Sequence, residues 1–163
     1  MLLHSIDTLA PAIVEVFTDR STGNRSLISK VSFSAGDPIS SFYWSHVYPS
    51  PTYLTIQLGE EEHISLLPSC LACVNHSCHP NAFFDIDQKQ LVCIRPISCG
   101  EEILFFYPSS EWSMDQPFTC LCKSPHCLHT IAGAKYLTPV EQKRYRFTSF
   151  IQKKLASVYG LTS

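Results

Sequence analysis

Two short runs carry the side chains best equipped for chemistry: Asn75-His76-Ser77-Cys78-His79-Pro80-Asn81, and the group Cys120, Cys122 and Cys127 further along the chain. Three thiols at Cys-x-Cys-x4-Cys spacing can converge on one ion, because short loops bring their sulfurs within bonding distance. Zinc takes four such ligands tetrahedrally, at about 2.3 Å each. The spacing alone leaves the fourth ligand open among Cys78, His126, His129 and a more distant cysteine. A mutual bridge within Cys-x-Cys has poor geometry. Between the two runs lies Glu101-Glu102-Ile103-Leu104-Phe105-Phe106-Tyr107, an apolar stretch ending in a tyrosine whose hydroxyl can orient a reacting group in a dry channel.

The elements that must position these residues are short. Ala12 to Phe17 alternates and is β-branched, and Ser26 to Val31 follows the turn cluster Asp19–Asn24, so both read as strands. Tyr53 to Leu58 and His63 to Leu67 read as one hairpin, and Ala82 to Ile86 with Leu91 to Ile94 as another. Ile103 to Tyr107 reads as a buried strand stopped by Pro108. The tail differs. Thr138-Pro139-Val140-Glu141 combines an N-cap residue, a proline at the first helical position and a glutamate at the capping-box position. Val140, Phe147, Ile151, Leu155 and Val158 then recur at helical spacing, predicting an amphipathic helix that ends near Gly160. Cys70-x2-Cys73 has the spacing of a metal pair, but Cys70, Cys73, Cys93 and Cys99 read better as buried thiols.

A chain of 163 residues with 45% hydrophobic and 16% charged residues is expected to fold as one ordered domain of mostly β architecture. Its net charge of −2 supplies no basic field for nucleic acid, and no direct nucleic-acid contact is expected. The amino-terminal run Met1–Asp7 has no basic n-region or long apolar stretch. No export signal and no membrane span are therefore expected, an intracellular setting is the default, and the cysteines read as thiols and metal ligands.

In their order and separations, Asn-His-Ser-Cys-x-Pro-Asn, the strand ending at Tyr107 and Cys-x-Cys-x4-Cys resemble the end of a SET domain and its post-SET zinc motif, with no pre-SET module. The resemblance runs from about Ser69 to Leu137 and extends more faintly over Gly23 to Ile39. It implies a SET fold of small sheets with a pseudoknot-like threaded carboxy-terminal segment, a post-SET zinc loop and a C-terminal helix. The crossing is an exception to the rule against threaded connections. The implied organisation is a SET domain over 12–108, a post-SET zinc-binding segment over 116–130 and an amphipathic helix over 138–160. It also implies an S-adenosylmethionine-dependent methyltransferase acting on a protein lysine. Cys78 would complete one structural zinc with Cys120, Cys122 and Cys127; Asn75 and His76, with the Asn24-Arg25 loop, would bind S-adenosylmethionine; and Tyr107 would be catalytic. The family's Gly-x-Gly loop here reads Asn24-Arg25-Ser26. Phe106 stands where an aspartate or asparagine is usual, which predicts a more apolar target-side pocket. These departures bring two rival expectations, a catalytically silent SET-fold binding module and a stand-alone SET-fold enzyme acting on a small molecule by amine methylation or non-methyl chemistry.

Overall fold

The turn cluster at Asp19 closes the first hairpin. Asp19 Oδ1 accepts hydrogen bonds from the backbone N–H groups of Ser21 and Thr22, and Gly23 supplies the positive φ of 74° that brings the chain back. The computed structural model describes residues 10–160, so the amino-terminal run read for an export signal lies outside them. A four-residue helix, α1 (Ala10–Ile13), leads into β1 (Val14–Thr18), which pairs antiparallel with β2 (Arg25–Ser29).

Short strands continue as β3 (Pro38–Ser41), β4 (Val47–Tyr48), β5 (Thr55–Gly59), β6 (Glu62–Ser65), β7 (Asn75–His76), β8 (Ala82–Asp85), β9 (Gln90–Cys93) and β10 (Leu104–Phe105). The β5–β6 and β8–β9 hairpins fall where strand-like runs flanking polar turns predict them. Each gains a third strand that the sequence conceals, giving the sheets β4-β6-β5 and β3-β9-β8. Strand β3 reads Pro-Ile-Ser-Ser, a turn-like composition with one buried apolar residue, Ile39. β11 (Phe118–Thr119) and β12 (Thr130–Ile131) form a small antiparallel ladder around the cysteine loop. The main core gathers Leu27, Phe42, Ile64, Phe84, Leu91 and Ile103 from several of these sheets. Many small sheets with few helices agree with the architecture that the sequence resemblance implies.

The apolar run after Glu102 is strand only at Leu104–Phe105. From Tyr107 the chain turns into a 3₁₀ helix through Ser109, because Pro108 has no N–H with which to continue a ladder. β10 lies parallel to β7, with Leu104 opposite Asn75 and Phe105 opposite His76. The loop after β7 wraps the same strand: Ser77 N–H donates to the Phe105 carbonyl and Asn81 N–H to the Leu104 carbonyl. Asn81 is fully buried. Its Nδ2 donates to the Glu102 carbonyl at 2.9 Å and its Oδ1 accepts from Leu104 N–H at 2.8 Å.

The single helix expected over residues 138–160 is corrected to two. α2 (Pro139–Gln142) has the full capping box between Thr138 and Glu141. α3 (Ser149–Tyr159) ends at Gly160, left-handed at φ 65°. Tertiary contacts of the intervening residues override the helical periodicity. Tyr145 stacks on Phe106, Arg146 pairs with Asp85 at 2.8 Å, and Thr148 N–H bonds the Ser109 carbonyl instead of a helical one. Phe147, Ile151 and Leu155 are buried as expected, whereas Val140 and Val158 are exposed. The expectation that all four remaining cysteines are buried holds for Cys73 and Cys93 but fails at Cys70, which is half-buried, and at Cys99, which is exposed on a turn with its thiol donating to the Lys30 carbonyl. Among the described residues no helix is long and apolar enough to cross a membrane.

Asn81→Ala strands a buried donor and a buried acceptor. It should lower unfolding free energy by about 2–4 kcal/mol in chemical denaturation; a loss near zero would show that water or relaxation replaces the clamp.

Candidate active site and metal centre

Three consecutive aromatic residues leave β10 towards three different surroundings. Phe105 enters the main core, edge-on to Phe84 at 4.9 Å. Phe106 enters a second cluster formed by the tail, stacked on Tyr145 at 3.6 Å with 8° between the planes. Tyr107 borders an apolar cavity. The sequence-based expectation that Phe106 lines the target-side pocket is therefore corrected. Successive side chains of a strand point to opposite faces, and Phe106 is spent on holding the tail.

Tyr107 is fixed from two sides. Its backbone N–H donates to His76 Nδ1 at 3.1 Å, and its hydroxyl donates to the Val74 carbonyl at 3.3 Å. Burial, reinforced by Glu102 and Cys73, pushes the phenol up to about 12, so it stays protonated at neutral pH. Burial also pulls His76 down to about 4, leaving a neutral imidazole whose Nδ1 serves as acceptor. The His76 ring is ringed by Phe106, Tyr107 and Phe118 at centroid distances of 5.5, 5.2 and 5.6 Å.

Asn75 ties β7 to β2. Its Nδ2 donates to the Arg25 carbonyl at 2.8 Å and lies 3.0 Å from Glu102 Oε1. The Asn24-Arg25 loop and the Asn75-His76 pair, far apart in sequence, are thus adjacent, with both loop residues exposed. Because the Asn75 amide nitrogen is engaged internally, it acts as a tie between the two segments.

The cavity beside Tyr107 has a volume of about 280 Å³ and walls that include Ile56, Leu66, Leu71, Val74, Phe84 and Phe105. Into these walls is set Glu111, only 7% exposed. Glu111 Oε1 accepts a hydrogen bond from Gln57 N–H at 3.1 Å, and Gln57 Oε1 in turn accepts from Trp112 N–H at 3.0 Å. Burial drives the Glu111 carboxyl up to about 8 against the pull of that Gln57 bond. Sequence reading missed it: it sits just past the strand-ending tyrosine in a polar stretch that resembles any surface loop.

The sulfurs of Cys78, Cys120, Cys122 and Cys127 all lie within 4.8 Å of one another. Cys78 and Cys120 are 3.9 Å apart, close to the roughly 3.8 Å between two sulfurs bonded tetrahedrally to one ion at about 2.3 Å. The four could hold a metal ion. His126 and His129 stand outside the group; His129 instead contributes backbone, adopting φ 62° and accepting from Cys120 N–H. Tyr145 hydroxyl donates to the Cys78 carbonyl at 3.0 Å, coupling the tail to this cluster.

A model of the SET domain matches residues 13–108. The chain is 34% identical over 148 residues to Methyltransferase flvH of Aspergillus flavus, covering 90% of this chain and 83% of that protein. It is 34% identical over 110 residues to histone-lysine N-methyltransferase set9 of Schizosaccharomyces pombe, covering 60% of this chain and 25% of that one. It is also 39% identical over 67 residues to the H3 lysine-36 specific histone-lysine N-methyltransferase of Candida albicans, spanning 8% of its length. The solved structure of KRYPTONITE in complex with mCHH DNA, H3(1-15) peptide and SAH superposes with a TM-score of 0.53 at 20% identity, over 72% of this chain and 29% of that one. This last likeness is one of fold.

Glu111 makes stability depend on pH. Its folded pKa is raised above the usual 4.5, so its contribution is complete below about 4.5 and is lost as pH rises through about 8. Glu111→Gln keeps an acceptor for Gln57 N–H and has no proton to lose. Between about pH 5 and about pH 8, the variant should gain stability relative to wild type, on the order of 1 kcal/mol per pH unit in urea titrations. A constant difference would show that the carboxyl is solvated.

Proposed function

This chain belongs to the SET-domain family of methyltransferases, and from that premise we propose that it transfers the methyl group of S-adenosylmethionine to the amine nitrogen of a protein lysine side chain. The observation that carries this reading is the position of Tyr107. Pinned to His76 and Val74, it borders both the apolar cavity and the Asn75-His76 segment. The histone-lysine relatives supply the acceptor class.

Asn24, Arg25, Asn75 and His76 would hold the cofactor. The fit rests on the Asn75–Arg25 tie, which sets exposed backbone of the loop beside β7, and on a neutral His76 flanked by aromatic rings. When bound, S-adenosylmethionine supplies a methyl on a sulfonium centre, an electrophile whose thioether leaves without acid assistance. The protein's task is to align a neutral amine. An alkyl amine has an ordinary pKa of about 10.4, and the apolar walls favour its uncharged form. Tyr107, protonated and rigid, positions the acceptor while the cavity excludes water.

We assign zinc as the ion of the cysteine cluster, in the manner of a post-SET motif. Four thiolates leave no open coordination position, so its role is structural: it fixes the β11–β12 loop, and with it Phe118, against His76 and Tyr107. A free amine is the second acceptor class, since the buried Glu111 carboxyl in the cavity would receive it as well as a lysyl side chain. Mass spectrometry of products from lysine peptides and from an amine panel separates the two.

Tyr107→Phe keeps the ring and its packing while removing the hydroxyl. Turnover should fall on the order of a hundredfold with cofactor affinity retained; wild-type turnover would refute the assigned role. Elemental analysis should find about one zinc per chain, reduced in Cys122→Ser together with thermal stability. A fully folded protein without metal would refute the zinc assignment.

A further inference from the structure

We propose that Glu111 is the residue that receives the substrate's amine inside the cavity, selecting for an aliphatic amine. The inference deepens, and rests on, the methyl-transfer reading above. Among the described residues no other Asp or Glu is buried so deeply, and none of the ion pairs there involves Glu111. One backbone N–H, that of Gln57, bonds its carboxylate. A glutamine side chain could serve that N–H equally well, so the packing of Gln57 does not account for an acid at this place. Burying an unpaired carboxylate costs several kcal/mol, and an entering cation would offset it.

The surroundings define what can enter. Aliphatic and aromatic walls suit an alkyl chain, and a volume of about 280 Å³ lies near the lower end of small-molecule sites. Tyr107 borders the same space, so an amine drawn to Glu111 is held in the chamber where methyl transfer is assigned. The main chain around Glu111 is anchored: its carbonyl accepts from Ala134 N–H at 2.8 Å, and Trp112 N–H is held by Gln57. In the empty site burial keeps the Glu111 carboxyl mostly protonated at neutral pH, so it releases that proton to solvent as the alkylammonium arrives; within the ion pair the ammonium then passes one proton to the carboxylate, giving a neutral amine and a carboxylic acid. The nitrogen lone pair then forms the new N–C bond as the C–S bond breaks, its electrons staying on sulfur. The amine can come from a lysyl side chain or from a free small molecule.

Calorimetry on the full chain with S-adenosylhomocysteine present would use n-butylammonium, neutral n-butanol and a lysine-containing peptide as probes. Wild type should bind at least one amine probe and prefer it to the alcohol, and Glu111→Gln should weaken amine binding by about tenfold or more while alcohol binding is unchanged. Dependence on Glu111 for the peptide alone identifies a side-chain substrate, and for n-butylammonium a free amine. The proposal is overturned if neither amine binds wild type, if amine and alcohol bind alike, or if Glu111→Gln binds amine as wild type does. The wild-type comparison stands even if the variant does not fold. Glu111-dependent amine binding without any methylated product, by mass spectrometry, would instead refute the methyl-transfer reading and leave the amine site intact.

Discussion

The parallel pairing of β10 on β7 is the constraint on which the site depends. Two short strands lie side by side, half-buried at Asn75, His76 and Leu104 and buried at Phe105, and two asparagine side chains hold them in place. Asn81 closes on Leu104 and Glu102, while Asn75 reaches Arg25 and Glu102. With the register fixed, the pleat of β10 distributes Phe105, Phe106 and Tyr107 among the main core, the tail and the cavity. A slip of one residue would exchange these faces. It would take the tyrosine hydroxyl away from the cavity.

The same register positions the cysteine cluster. Cys78 follows β7 within the loop that wraps β10, so its sulfur meets the three from the later loop only when that loop is seated. The tail reinforces the arrangement through one aromatic side chain. Tyr145 stacks on Phe106 and hydrogen-bonds the Cys78 carbonyl, joining the tail core, β10 and the cluster. The break between α2 and α3 allows this contact, because a continuous helix would commit the Thr148 N–H to its own backbone.

Much of this was legible in the residues. Strand-like runs around polar turns identified the β5–β6 and β8–β9 hairpins, and Thr138 to Glu141 announced a capped helix start. The cysteine spacing, joined to a family resemblance, singled out four thiols that the fold brings together. Local signals failed where a residue's role is set by distant partners. Strand β3 has turn-like composition and becomes strand only against β9. Periodicity could not foresee that Phe106 would draw Tyr145 out of helical register. Phe106 itself was misread because its facing depends on the β7–β10 register. Glu111 was invisible because its burial depends on Gln57 and on walls such as Ile56, Leu66 and Leu71, all distant from it in sequence.

The central claim is that the junction of the Asn24-Arg25 loop with Asn75-His76 binds the methyl donor beside Tyr107. Calorimetric titration of S-adenosylhomocysteine into wild type and Asn75→Ala tests it most directly. The account predicts one-site binding to the wild type, weakened by more than about tenfold when the tie is removed. No heat with wild type, or equal affinity in the two proteins, would contradict it.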